Sequence, residues 1–211
     1  MWFGRWQNIQ NVCRTKTDKE ADGFPRGLCA AGWKPSALVF PSNLVYNFTV
    51  MKEYVVFDLE WNQNPYGKEL PGAHLTFEII EIGAVKLNEN MEVISTFSQL
   101  VRPQVYRELH YKISQVTHMT MDELMEKGRP FQEVMADFEE WCGEAAVYCT
   151  WGPMDLTELE KNLAYFGMEN PFPNPLLYYD IQKLYGLFRK DGKEKSALDT
   201  AVRELGIPEE R

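Results

Sequence analysis

The spacing of apolar residues divides this chain into an irregular first fifty residues and a regular remainder. From Glu53 the run Tyr-Val-Val-Phe-Asp-Leu-Glu-Trp predicts a buried strand over about 53–61. Asn64-Pro65-Tyr66-Gly67 and Pro71-Gly72 mark a loop over 62–75. Phe-Glu-Ile-Ile-Glu-Ile-Gly-Ala-Val-Lys-Leu, about 77–87, predicts a second strand. Asn88 to Met91 form a tight turn into a third strand at about 92–101, and Arg102-Pro103 ends it. These three strands are expected to form an antiparallel meander.

The period then changes to that of helices. Thr120-Met121-Asp122-Glu123 is a capping box that opens a short helix stopped at Gly128. Phe131, Val134, Met135, Phe138 and either Trp141 or Cys142 form one stripe of a helix over 130–142. Ala145 to Thr150 is a short apolar run, read as a buried strand. Asp155-Leu-Thr-Glu158 opens a helix with Leu156, Leu159, Leu163 and Phe166 facing inward. Leu177 to Tyr179 predict a fifth strand with Asp180 at its end. Helices follow at about 181–190 and 196–205, the second stopped by Gly206 and Pro208. Three antiparallel strands followed by alternating helix and strand predict a mixed α/β sheet with helices packed on it.

Residues 1–50 show neither period, although they hold Trp2, Trp6 and Trp33. Pro25, Gly27, Gly32, Pro35 and Pro41 interrupt every candidate element. Met51 stands directly before the first strand, so the expected organisation is an extension over 1–50 and a domain over 51–211. The alternative is an irregular arm packed through Val39, Phe40 and Val45.

Composition narrows the function. The 211 residues contain no apolar run of transmembrane length, and the amino terminus lacks a signal-like apolar core. No membrane partner and a cytoplasmic location are therefore expected. Cys13, Cys29, Cys142 and Cys149 form no C-x-x-C pair, and His74, His110 and His118 fall at no zinc-ligand spacing. Free, packed thiols are expected. The net charge is −9, with +3 on residues 1–50 and −12 on the rest. That balance argues against charge-driven coating of a long duplex, but leaves room for a nucleic acid end whose contact is neutralised by metal ions.

The chemistry concentrates at the end of the first strand. Asp58 and Glu60 are two residues apart, so both side chains emerge on one face. Two like charges on a buried strand need compensation. A divalent cation with hard oxygen ligands, magnesium or manganese, supplies it; a strand fraying into a solvated acidic loop is the alternative. Asp155 follows another buried strand, and strand ends in such sheets are where sites assemble. It is read as a helix cap or as a third site acid, two roles that do not exclude each other. Asp180 also stands at a strand end where it fits the same site, but a structural or cap role is the favoured reading. Of Glu78 and Glu81, one is expected to be a satisfied buried acid beside the site.

Together these segments resemble the DEDD exonucleases, the group of RNase T and the DNA polymerase proofreading exonucleases. Phe57-Asp58-Leu59-Glu60 is similar to their first motif, and Ile80-Glu81-Ile82-Gly83-Ala84-Val85 to the strand that follows it. Val116-Thr117-His118-Met119-Thr120 resembles their "LTGIT" loop, with His118 where Gly is common. Trp151-Gly152-x-x-Asp155 resembles their second motif. The details look most like the Eri-type and KapD-type exoribonucleases, over about 53–208. The resemblance implies an RNase H-like fold with a mixed five-stranded sheet and two divalent cations, Mg2+ or Mn2+. It implies hydrolysis at the 3′ ends of single-stranded RNA or DNA, with RNA favoured. Asp58 would bridge the metals, Glu60 would bind one, and Asp155 would bind directly or through water. Leu59, Trp61, Met119 and Trp151 would contact substrate; for Met119 and Trp151 a core role is the alternative.

The family's third motif, a His and then an Asp five residues later, follows its "LGIP" segment. Here Leu205-Gly206-Ile207-Pro208 is followed by three residues, and no His follows His118. The expectation is a C-terminally truncated domain lacking its last helix, of impaired activity, since losing a general base costs about 10²–10⁴ in rate. A dimer through the face the helix would cover is also expected. A catalytically inactive protein that binds nucleic acid ends and a structural interaction module are the alternatives.

Overall fold

A computed structural model describes residues 53–65, 75–143, 146–172, 176–189 and 195–207. Residues 1–50 and most of the 62–75 loop lie outside these. Five strands form one sheet in the order β3-β2-β1-β4-β5: β1 Glu53–Gln63, β2 Phe77–Leu87, β3 Val93–Leu100, β4 Ala146–Thr150 and β5 Tyr178–Asp180. β1 pairs antiparallel with β2, and β2 with β3. β4 runs parallel to β1, and β5 parallel to β4. The helices are α1 Tyr111–Thr117, α2 Met121–Lys127, α3 Phe131–Cys142, α4 Met154–Tyr165, α5 Ile181–Phe188 and α6 Leu198–Glu204. This is the mixed five-stranded sheet flanked by helices that the sequence predicts. Among the described residues no helix is long and apolar enough to cross a membrane.

One face of the sheet makes the core. Val55, Phe57 and Leu59 alternate onto it from β1, and Phe57 meets Phe138 of α3 edge-on with ring centroids 5.8 Å apart. Of the two residues that the α3 stripe left open, Cys142 is fully buried. Trp141 lies half-buried at the rim, its indole N–H donating to Ser95 Oγ at 2.8 Å. Leu159 and Leu163 of α4 complete this layer. Cys142 and Cys149 are buried thiols in no disulfide, and burial pushes the Cys142 thiol up to about 12.

The N-cap half of the predicted capping box forms: Thr120 Oγ1 accepts from Glu123 N at 3.1 Å, and α2 ends at Gly128. A glycine is required there because a Cβ would stand 2.3 Å from the carbonyl oxygen of Leu124 and 2.7 Å from Arg102 N. Asp180 is the cap that the sequence suggests, its Oδ1 accepting from Lys183 N at 2.9 Å. Helix α1 was not predicted. It buries no residue, so its sequence carries no apolar stripe. It is held from its N-terminus, where fully buried Asn62 accepts from His110 N at 2.9 Å and donates to Glu108 O at 2.9 Å.

Candidate active site

β1 outruns its parallel neighbour. Its pairing with β4 ends at Val56↔Cys149, and the next residues on that face are Asp58 and Glu60. Across β2, Asp58 faces Gly83 and Glu60 faces Glu81. Both carboxylates are half-buried. They stand where a sheet's strand ends open into a crevice.

Asp155 reaches the same strand from the other side. After β4 the chain turns at Gly152, whose φ of +93° a side chain would strain, and Thr150 Oγ1 donates to Gly152 O at 2.6 Å across this turn. Asp155 then falls in the first turn of α4. The cap position is Pro153, so the reading of Asp155 as a helix cap is corrected. Its buried carboxylate instead accepts the N–H of Leu59 at 3.1 Å, the residue between Asp58 and Glu60. That hydrogen bond ties the second acidic motif to the first across 96 positions of sequence. Asp155→Ala leaves a buried N–H unpaired, an expected cost of about 1–3 kcal/mol. Asp155→Asn, which keeps an acceptor oxygen, should recover most of that stability in a chemical denaturation series.

A register shift at Glu60/Trp61 sets the two glutamates of β2. Glu81 lies opposite Glu60 and Glu78 opposite Asn62, so both face the same side. Glu78 is the satisfied acid: it accepts the backbone N–H groups of Gln104, Val105 and Tyr106. Burial nevertheless pushes its carboxyl up. Glu81 is the acid beside the site, receiving Ser98 Oγ at 3.2 Å. Burial pushes it up to about 7; the Ser98 hydrogen bond opposes this and the charge of Glu60 adds to it. Its folded-state pKa lies above the ordinary carboxylate value, so the fold holds a proton that the unfolded chain has released. The resulting stability is full below the ordinary value and is lost as pH rises through about 7. In metal-free buffer, stability should therefore fall by about 2–4 kcal/mol between roughly pH 5 and pH 8. Glu81→Gln should flatten most of that decline, Glu78 leaving a smaller slope of the same sign.

A cleft of ≈ 510 Å³ opens above these residues. Its floor is Glu60, Glu81, Ser98 and Leu100; its roof is Val116 to Met119 from the end of α1, with Glu123 and Lys127 of α2. Met119 and Glu60, which the sequence placed in one site, thus share a cavity. Leu59 has its side chain in the core and only its backbone toward Asp155. Trp61 is half-buried with its ring 5.7 Å from Phe77. Trp151 turns away to pack on Tyr185, its indole N–H donating to Ser196 O at 3.0 Å. Sequence reading did not bring Ser98 or the Glu123–Lys127 pair to the site. Glu123 and Lys127 carried only capping and helix-end signals, and their approach depends on the unpredicted α1.

Among the described residues, no three His, Cys, Asp or Glu side chains stand together so as to hold a metal ion. Asp58 and Glu60 do present hard oxygen donors on one face. Magnesium is usually held by one or two carboxylates, with water and substrate phosphate completing its shell, rather than by an all-protein cage. The donor set fits an ion shared with a phosphate.

The exonuclease model of the RNase T family matches residues 55–211. The chain belongs to that family. Membership makes it an exonuclease-type nuclease domain of the hydrolase class. This exonuclease domain is 35% identical over 94 residues to the PolC-type DNA polymerase III of Staphylococcus aureus (strain bovine RF122 / ET3-1), covering 44% of this chain and 6% of that protein. The chain thus spans only a small part of the length of the curated relatives it matches. Among solved structures it is similar to the nuclease domain of 3′hExo, a DEDDh family member, bound to rAMP. That likeness has 22% identity and a TM-score of 0.58 over 74% of this chain and 80% of the other. Cell-death related nuclease 4 gives 18% identity and a TM-score of 0.56 over 69% of this chain and 51% of that one. Product-bound exonuclease I gives 13% and 0.58 over 74% and 39%. At these identities the likenesses show the fold.

Proposed function

We propose that the domain is a metal-dependent 3′–5′ exonuclease acting on single-stranded nucleic acid, with RNA favoured over DNA. The observation that carries this is the Asp155 carboxylate on the N–H of Leu59, which brings the third acid to the strand bearing Asp58 and Glu60. The cleft over Glu60 supports it, with Glu60, Glu81 and Met119 in its lining. Asp58 and Glu60, with Asp155 beside them, would hold two Mg2+ or Mn2+ ions. When bound, such ions stabilise charge on phosphate oxygens. The chain's own part is positional. Leu59 N–H orients Asp155, Glu81 keeps Glu60 company in a site that gains from a cation, and Met119 closes the roof over the terminal nucleotide. RNA is favoured because a similar 3′-exonuclease recognises the 3′ end of a histone mRNA stem-loop, and 3′hExo is bound to rAMP. The PolC-type relatives make DNA the competing substrate.

A 5′-labelled single-stranded RNA and its DNA counterpart, incubated with Mg2+, should shorten stepwise from the 3′ end, the RNA faster. EDTA should stop the reaction. Internal cuts, shortening from the 5′ end or hydrolysis indifferent to EDTA would count against the proposal. Metal and strand-end binding with no shortening at all would favour the inactive end-binding protein.

A further inference from the structure

His118 stands on the cleft roof at a backbone position that suits it poorly. It terminates α1 with φ 57° and ψ 14°, in the left-handed region, and its N–H closes the helix on Ser114 O at 2.9 Å. Glycine is the usual residue at such a helix end, because a Cβ is disfavoured there. Met91, in the turn before β3, is the only other non-glycine residue with positive φ among those described. The His118 side chain is exposed, and it makes no hydrogen bond or ion pair among the described residues. Helix termination uses the backbone of this residue and would be better served by glycine; among the described residues the ring holds no polar contact.

The cleft supplies a use. A polyanionic strand entering it meets the carboxylates of Glu60, Glu81 and Glu123. Lys127 is the lysine on its wall, and its ammonium is committed to Glu123 at 2.8 Å. An approaching phosphate therefore needs a roof donor that is not already neutralised, and the imidazole is one. Resting on the exonuclease reading above, we propose that His118 is a substrate-positioning residue. A ring N–H donates to a phosphodiester oxygen of the single strand in the cleft, and the residue takes no part in breaking the bond.

The test is binding rather than turnover: fluorescence anisotropy of a 5′-fluorescein single-stranded oligoribonucleotide with Ca2+ in place of Mg2+, beside thermal melts. His118→Gly should raise Kd about ten-fold, with the melting temperature unchanged or higher. His118→Asn tolerates the left-handed backbone and keeps a donor without the ring; its Kd should lie closer to wild type than to His118→Gly. If wild type binds and His118→Gly binds equally well, this proposal falls alone. If His118→Asn is as weak as His118→Gly, the contact is ring stacking and the donor assignment is overturned. A wild-type chain that does not bind the oligonucleotide removes the nucleic-acid reading and this proposal with it.

Discussion

Asp58→Asn should abolish metal-dependent release of nucleotides from a 3′ end while leaving the melting temperature unchanged or slightly raised. Like charge gives that sign. Asp58 shares a strand face with Glu60 and lies beside the Glu60–Glu81 pair, so removing its charge relieves like-charge repulsion in the metal-free protein. In activity the cost should exceed about a hundred-fold, because changes merely behind a metal ligand already cost 10- to 100-fold. Full activity in Asp58→Asn would place the chemistry elsewhere. Loss of activity together with a collapsed fold would leave the site reading without this support, and Asp58→Glu, which keeps the charge, would then separate the two.

The largest effect on stability should come from Phe138→Ala. Phe138 is fully buried and sits at the junction of several rings, 5.2 Å from Phe97, 5.8 Å from Phe57 and 6.5 Å from Phe172. It therefore joins α3 to β1 and β3 and to the segment before β5. Phe→Ala in such a place costs about 3–5 kcal/mol, from lost transfer energy and the cavity left behind. That is a large share of the roughly 5–15 kcal/mol that holds a domain together. For a chain of this size it lowers Tm by roughly 10–15 °C. Phe138→Leu, which refills much of the space, should cost less than half as much. A drop of a degree or two for Phe138→Ala would mean that α3 is not the lid of this core. Because Phe138 lies on the sheet face opposite Asp58, the soluble variant should keep its affinity for metal at low temperature.

What the sequence made legible follows the strength of each physical signal. β2 has the predicted limits, and β1, β3 and β4 come within two residues of theirs, because apolar runs ending at Asn, Pro or Gly are strong markers. The pair Asp58 and Glu60 was readable because period two puts i and i+2 on one face. Asp155 was half readable. Its position after a strand pointed to the site, but Asp followed by Glu three residues on is also a cap pattern, and only the turn at Gly152 decides for the hydrogen bond to Leu59. Choosing between Glu78 and Glu81 required the register shift at Glu60/Trp61, which no local pattern reveals. Helix α1 was invisible because it packs no apolar stripe and hangs from side-chain hydrogen bonds of Asn62. With α1 went the cleft roof, and so the approach of Lys127 and Glu123 to the acidic floor.

The measurement that bears most directly on the centre of this account is a calorimetric titration of Mn2+ into the wild-type chain and into Asp58→Asn, in the absence of nucleic acid. It does not depend on turnover. Wild type should bind the ion, and Asp58→Asn should lose that binding while remaining folded. No binding by wild type, or binding of equal strength by both, would contradict a divalent-cation site at Asp58, Glu60 and Asp155.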